Sequence, residues 1–195
     1  MPRSSNRPTV QVLWPAAGPA AALRAIVLAL FGSLLLALSA KVQVPFWPVP
    51  MTMQTFVVLV LGASYGWRLG LATVLLYLAE GASGLPVFAG TPEKGLGLAY
   101  MAGPTGGFLV GFAAGAALTG FLAARGWTRD LPRLTLMMLL GHAVIFLFGV
   151  GWLAASFGWD KAIAASLSPF WAATALKTAL AVAVMAGVDR WVRAR

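Results

Sequence analysis

Apolar residues in this chain fall into six blocks, with the arginines, prolines and most polar side chains collected between them. The blocks cover approximately 20–40, 52–65, 69–82, 103–124, 134–157 and 169–188. A stretch of about 20 apolar residues crosses the hydrocarbon core of a bilayer as a helix. The second and third blocks are shorter and are expected to be tilted, buried within a bundle or extended by loop residues. The pattern predicts an all-α integral membrane protein, a bundle of six transmembrane helices forming one domain over 20–195. Residues 1–19 are polar and proline-rich with no compact apolar stretch, so they read as a flexible cytoplasmic tail rather than a cleavable leader. Pro169 suits the first turn of the last helix.

Composition sharpens this. The chain is 60% hydrophobic and 10% charged, with a mean hydropathy of +0.85, whereas soluble domains carry about 25% charged residues. Too few charges exist to coat a water-facing surface. The net charge of +9 would suggest nucleic acid in a soluble protein, but here the basic residues mark loops and tails. With the N-terminus inside, Arg3, Arg7, Arg24, Arg68, Arg125, Arg129, Arg133, Arg190, Arg193 and Arg195 are cytoplasmic, and only Lys41, Lys94 and Lys161 are outside. Six spans with both termini cytoplasmic satisfy the positive-inside rule, and the basic residues then face anionic lipid headgroups. There is no cysteine and one histidine, so disulfides, thiolate chemistry and a metal site are not expected. No Ser/His/Asp set, carboxylate pair or phosphate loop occurs, so neither catalysis nor ATP hydrolysis is expected of this chain.

The inner connections are short, whereas the first and third outer loops, 41–51 and 84–102, are long and rich in Pro and Gly. Irregular backbone at membrane depth is tolerated where it is buried in protein or lines a cavity. The outer face therefore reads as the ligand-facing end. Small residues recur every fourth position at Ala21, Ala25, Ala29, Ser33 and Ala37, and again at Gly103, Gly107, Gly111, Gly115 and Thr119. Such ridges allow close helix approach. The glycine row is read as packing within the bundle, while the alanine row, on a terminal helix, fits either internal packing or a partner protein.

Lys177 lies inside the last block with no acidic residue within a helical turn. An ionisable residue at such a position is a functional candidate, the alternative being a side chain that snorkels to the interface. Its ammonium suits a carboxylate or carbonyl oxygen, and Thr174 lies one turn away on the same face. Thr52 and Gln54, after Pro50, are placed to face the same cavity. Glu80 is expected to pair with Lys177 or Lys41 or to be solvated, and His142 to make an interhelical hydrogen bond. Trp47, Trp159 and Trp171 belong to an outer aromatic belt or wall an apolar pocket.

Three motifs carry a resemblance. Val49-Pro50-Met51-Thr52-Met53-Gln54-Thr55, preceded by Pro48, resembles the first outer loop of the BioY family, the biotin-binding S components (substrate-specific subunits) of energy-coupling factor (ECF) transporters. Gly84-Leu85-Pro86-Val87-Phe88-Ala89-Gly90 is similar to that family's third-loop motif, and Gly103-Pro104-Thr105-Gly106-Gly107-Phe108 to the start of its fourth helix. The resemblance covers about 22–190 and implies a multi-pass protein of the bacterial cytoplasmic membrane. It implies an outward-facing biotin pocket under the first and third outer loops, and no cofactor. It further implies that the row Ala21 to Ala37 docks on a transmembrane coupling subunit driven by two ATPase subunits. The substrate-binding residues expected on this basis are Lys177, Thr174, Gln54, Thr52, Tyr77, Phe88, Glu93 and Trp171, with Phe88 and Trp171 against the thiophane ring and valeryl chain. The family often has Asp-x-x-Lys where this chain has Thr174-x-x-Lys177, which removes a charged acceptor for the ureido N–H groups, and Glu93 is the candidate to replace it. Two rival readings remain: a related carrier for another small carboxylate such as dethiobiotin, and a membrane structural or assembly protein without a ligand.

Overall fold

The computed structural model describes residues 8–44 and 49–194. In chain order these form α1 (Thr9–Leu13), α2 (Pro19–Lys41), a two-stranded antiparallel ladder of β1 (Gln43–Val44) and β2 (Met51–Thr52), α3 (Gln54–Tyr65), α4 (Trp67–Ala82), α5 (Gly97–Met101), α6 (Gly106–Ala124), a 3-10 turn (Trp127–Arg129), α7 (Leu131–Phe157) and α8 (Trp159–Arg193). Among the described residues, α2, α6, α7 and the Phe170–Val192 part of α8 are long and apolar enough to cross a membrane. The protein is thus an all-helical membrane protein with four clear apolar spans plus shorter helices.

Packing explains how the short helices persist. At ~1.5 Å per residue, α3 reaches only about 18 Å and α4 about 24 Å, less than the ~30 Å hydrocarbon core. α3 sits at the centre, packed on α4, α6 and α8, with Val58 and Leu59 wholly buried. The third and fourth helices meet at one residue, Gly66, whose φ of +80° reverses the chain at a conformation open to glycine. Asp130 caps α7 by accepting the Arg133 N–H at 3.0 Å, with Pro132 in the first turn.

The glycine row does pack within the bundle. A methyl group at Gly107 would collide with Trp152 and the Phe148 carbonyl, and one at Gly111 with the Ile145 backbone. α6 and α7 therefore touch backbone to backbone. In the alanine row, Ser33 is buried and hydrogen-bonds Glu80 of α4, while Ala21, Ala25, Ala29 and Ala37 remain half-buried along α2. Leu23, Ile26, Val27, Leu30, Leu34 and Leu38 of the same helix are exposed.

The boundaries differ from the sequence reading chiefly in three places. The expected tail contains α1, which packs on α3 and α8, with Pro8 against Gly66; residues 1–7 lie outside the described residues. The last helix starts ten residues before Pro169, at Trp159, because Ala162, Ser166 and Phe170 continue a buried stripe four residues apart. Gly158, with φ +84°, is all that separates it from α7. Finally, α6 begins at Gly106, since Gly103-Pro104-Thr105 forms the turn that precedes it.

Candidate ligand-binding site

Described residues of the first and third loops converge over a cavity between α3, α6, α7 and α8. The first loop contributes Val49, Pro50 and Thr52, and the third contributes Ala89 together with Tyr100 of α5. The walls are aromatic: Phe108 and Phe112 from α6, Phe146 from α7 and Phe170 from α8. Gln54, Thr55, Thr105 and Lys177 supply the polar lining, and no acidic residue is among the described residues that line it. The space open to water-sized molecules is about 50 Å³, enough for a few waters.

Lys177 is the charged group of the cavity. Only 5% exposed, its ammonium donates to the Thr52 carbonyl at 3.1 Å. The side chain is thus directed inward and ties α8 to the first outer loop. Sequence alone left open whether this amine snorkels; its burial and inward bond decide against that. Two hydroxyls nearby have no partner among the described residues: Thr174 Oγ1, one turn before Lys177, and Thr55 Oγ1 in the cavity lining. A buried hydroxyl without a partner is costly, and that of Thr55, in the cavity lining, is available to a polar ligand.

A second tier of residues holds the lining in place. The Gln54 side-chain amide donates to the Tyr77 phenol oxygen at 2.7 Å, and the Tyr77 hydroxyl donates to the Val87 carbonyl at 3.1 Å. The Thr52 hydroxyl accepts the Gln54 backbone N–H at 3.3 Å. Phe88 is 1% exposed, stacked on Tyr100 at 4.9 Å and edge-on to Tyr77 at 5.4 Å. Tyr100 donates to the Ala89 carbonyl at 2.8 Å. Burial raises the Tyr100 phenol above its ordinary pKa, further into the range where it is a neutral donor.

The eight expected substrate-binding residues thus divide. Lys177, Gln54 and Thr52 line the cavity, whereas Thr174, one turn before Lys177 on α8, is not among its lining residues. Tyr77 and Phe88 stand behind the lining and support it. Glu93 is exposed on the third loop and does not line the cavity. Trp171 is 72% exposed and points away; its neighbour Phe170 faces inward instead. The spacing holds the reason, since Phe170 is seven residues from Lys177 and shares its face, whereas Trp171 is six away and does not. Thr55, Tyr100, Phe108, Phe112 and Phe146 were also missed. The four-residue spacing of Phe108 and Phe112, alongside the glycine row, was a usable signal for those two.

Other polar residues resolve as follows. Glu80 pairs with Ser33 rather than with either lysine. His142 Nδ1 lies 3.1 Å from both the Met138 carbonyl and the Thr178 hydroxyl, which gives the expected bond between α7 and α8. Trp159 is 64% exposed, and Trp47 lies outside the described residues.

An apolar, aromatic cavity with few convergent polar groups, embedded in a polytopic helical bundle, defines a membrane protein that binds a small solute. Similarities to known proteins narrow the class. The model of the BioY family matches residues 9–194. A probable biotin transporter BioY of Pyrococcus horikoshii is 37% identical over 150 residues, covering 77% of this chain and 86% of that one. The biotin transporter BioY of Rhizobium etli is 36% identical over 154 residues, covering 73% and 81%. The crystal structure of the S-component for biotin from an ECF-type ABC transporter superposes with a TM-score of 0.76 at 22% identity, over 90% of this chain and 95% of that one. This chain has the S-component fold and belongs to the BioY family, a family of transporter subunits rather than enzymes.

Proposed function

We propose that this chain is the membrane-embedded, high-affinity biotin-binding subunit of a vitamin uptake system, the substrate-specific component of an ECF-type transporter with no ATPase of its own. The observation that carries the reading is the Lys177 ammonium, held inside an aromatic cavity beneath two outer loops. Biotin has matching parts: an apolar thiophane ring and valeryl chain, a carboxylate, and a ureido group with two N–H donors and a carbonyl.

In this reading the aromatic walls bury the apolar parts of the vitamin. Lys177 exchanges the Thr52 carbonyl for a ligand oxygen, a stronger acceptor if it is the carboxylate. Thr174 and Thr55 take up the hydroxyl bonds they lack. Ligand sites for small molecules usually enclose ~300–1,000 Å³, so the first and third loops part to admit the vitamin and close over it. Six spans with both termini cytoplasmic place these loops outside a bacterial cytoplasmic membrane. A transmembrane coupling subunit and two ATPase subunits supply the energy for release inside.

Calorimetric titration of detergent-purified protein tests this. Biotin should bind with a Kd well below micromolar, and Lys177→Ala should weaken it roughly ten- to hundredfold, the worth of one charged hydrogen bond of ~1.5–3 kcal/mol. No binding at micromolar biotin, or full affinity in Lys177→Ala, would refute it. One competing ligand is dethiobiotin, and tighter binding of dethiobiotin than of biotin would reassign the substrate.

A further inference from the structure

Lys41, the last residue of α2, has no assigned part in the site, yet its ammonium is bound by three oxygens of the third outer loop. It donates to the Phe88 carbonyl at 3.0 Å, the Thr91 carbonyl at 3.1 Å and the Thr91 hydroxyl at 3.1 Å. The Thr91 hydroxyl in turn donates to the Phe88 carbonyl at 2.7 Å. An ammonium has three hydrogens to donate, and all three directions are answered by oxygens of one four-residue turn. The contact joins residues about 50 positions apart in sequence.

The turn so held is the one that builds the outer wall of the cavity. Ala89 lines it directly and accepts from Tyr100, which lines it too. Phe88, whose carbonyl Lys41 grips, is the ring wedged between Tyr77 and Tyr100. The partners of the Lys41 ammonium thus belong to the loop and are chiefly backbone. A charge spent on three loop oxygens at the end of α2 does little for the bundle and much for the loop.

We propose that Lys41 is a positioning residue of the ligand site: it anchors the third outer loop to the end of α2 and so sets how long a bound ligand is retained. The inference rests on the biotin-binding reading for its kinetic consequence, but not for its structural one. Because the anchored wall must part for ligand to leave, the loss of Lys41 acts mainly on dissociation.

The experiment uses the full-length protein in detergent with Lys41→Met, Lys41→Arg, Thr91→Val and the double variant Lys41→Met/Thr91→Val. In protein without biotin, hydrogen exchange is read at the amides of Lys94 and Gly95, which bond the Gly90 and Pro92 carbonyls within this loop. Exchange there should rise about tenfold in Lys41→Met, be largely restored in Lys41→Arg, and stay unchanged in the core of α6. With biotin, the dissociation rate should rise about tenfold in Lys41→Met while association changes less than threefold, and the double variant should be no worse than Lys41→Met alone. Unchanged loop exchange in Lys41→Met overturns the proposal whatever the ligand does. Faster exchange with an unchanged dissociation rate overturns its kinetic half. Wild-type protein that does not bind biotin refutes the functional reading separately and leaves the exchange arm to decide the anchor.

Discussion

The contact between α6 and α7 can be tested at single-methyl resolution. A Cβ at Gly111 would lie 2.8 Å from the Ile145 oxygen and 2.9 Å from its Cα. Both atoms are backbone, so no side chain can swing aside, and the helices must separate by about 0.5 Å to reach ordinary contact. A gap of that size forfeits roughly a quarter of the dispersion energy along the seam. Overpacking of this kind costs about 1–3 kcal/mol, offset by up to ~1 kcal/mol of helix propensity gained on replacing glycine. The net for Gly111→Ala is on the order of 1–2 kcal/mol, or a fall in Tm of roughly 2–8 °C for a chain this size. Gly151, on α7, is the internal control: a Cβ there meets nothing within 4 Å. Gly151→Ala should leave Tm unchanged or raise it slightly. Phe108 and Phe112 flank Gly111, and Phe146 follows Ile145, so the same separation displaces three cavity walls and should weaken biotin binding in parallel. Thermal unfolding of the two variants in one detergent provides the comparison. Equal Tm for Gly111→Ala and wild type, or an equal loss in Gly151→Ala, would refute the packing argument.

Other consequences are equally direct. Tyr77→Phe leaves the Gln54 amide with only a 3.5 Å contact to the Leu36 carbonyl and takes the donor from Val87, so stability should fall by about 1–3 kcal/mol, read as a lower unfolding midpoint; an unchanged midpoint would show the bridge to be idle. Thr174→Asp installs a charged acceptor beside Lys177 and should tighten biotin binding about tenfold by calorimetry, charged hydrogen bonds being roughly twice as strong as neutral ones; weaker binding would place the ureido group elsewhere. Trp171→Ala should leave biotin affinity within twofold, since the ring faces away from the cavity, and a large loss would contradict that placement.

The sequence made the membrane class plain because long uncharged blocks with arginine-marked ends suit hydrocarbon and fit no water-facing fold. The glycine row was legible for a similar reason, since only close helix contact requires five small residues at a fixed spacing. The start of α8 was missed because Pro169 looked like a beginning, whereas the buried phase of Ala162, Ser166 and Phe170 ran straight through it. α1 was missed because a five-residue helix leaves almost no periodic signal. At the site, Lys177 stood out as an isolated charge in an apolar run. Its tie to the Thr52 carbonyl could not be read, because it joins positions 125 residues apart and engages backbone, which carries no residue signature. The same holds for Lys41. Glu93 and Trp171 were chosen by chemical type, and the path of the loop and the phase of the helix placed them outside the cavity.

In the proposed function, the cavity beneath the first and third loops opens to the cell exterior and holds biotin. The chain contains no cysteine, so one introduced at Thr55, whose hydroxyl lies unpartnered in the cavity lining, reports on that site alone. In intact cells, Thr55→Cys should react with a membrane-impermeant thiol reagent added outside, and saturating biotin should slow the reaction at least tenfold. Modification that proceeds at the same rate with and without biotin, or only from the cytoplasmic side, would contradict the account.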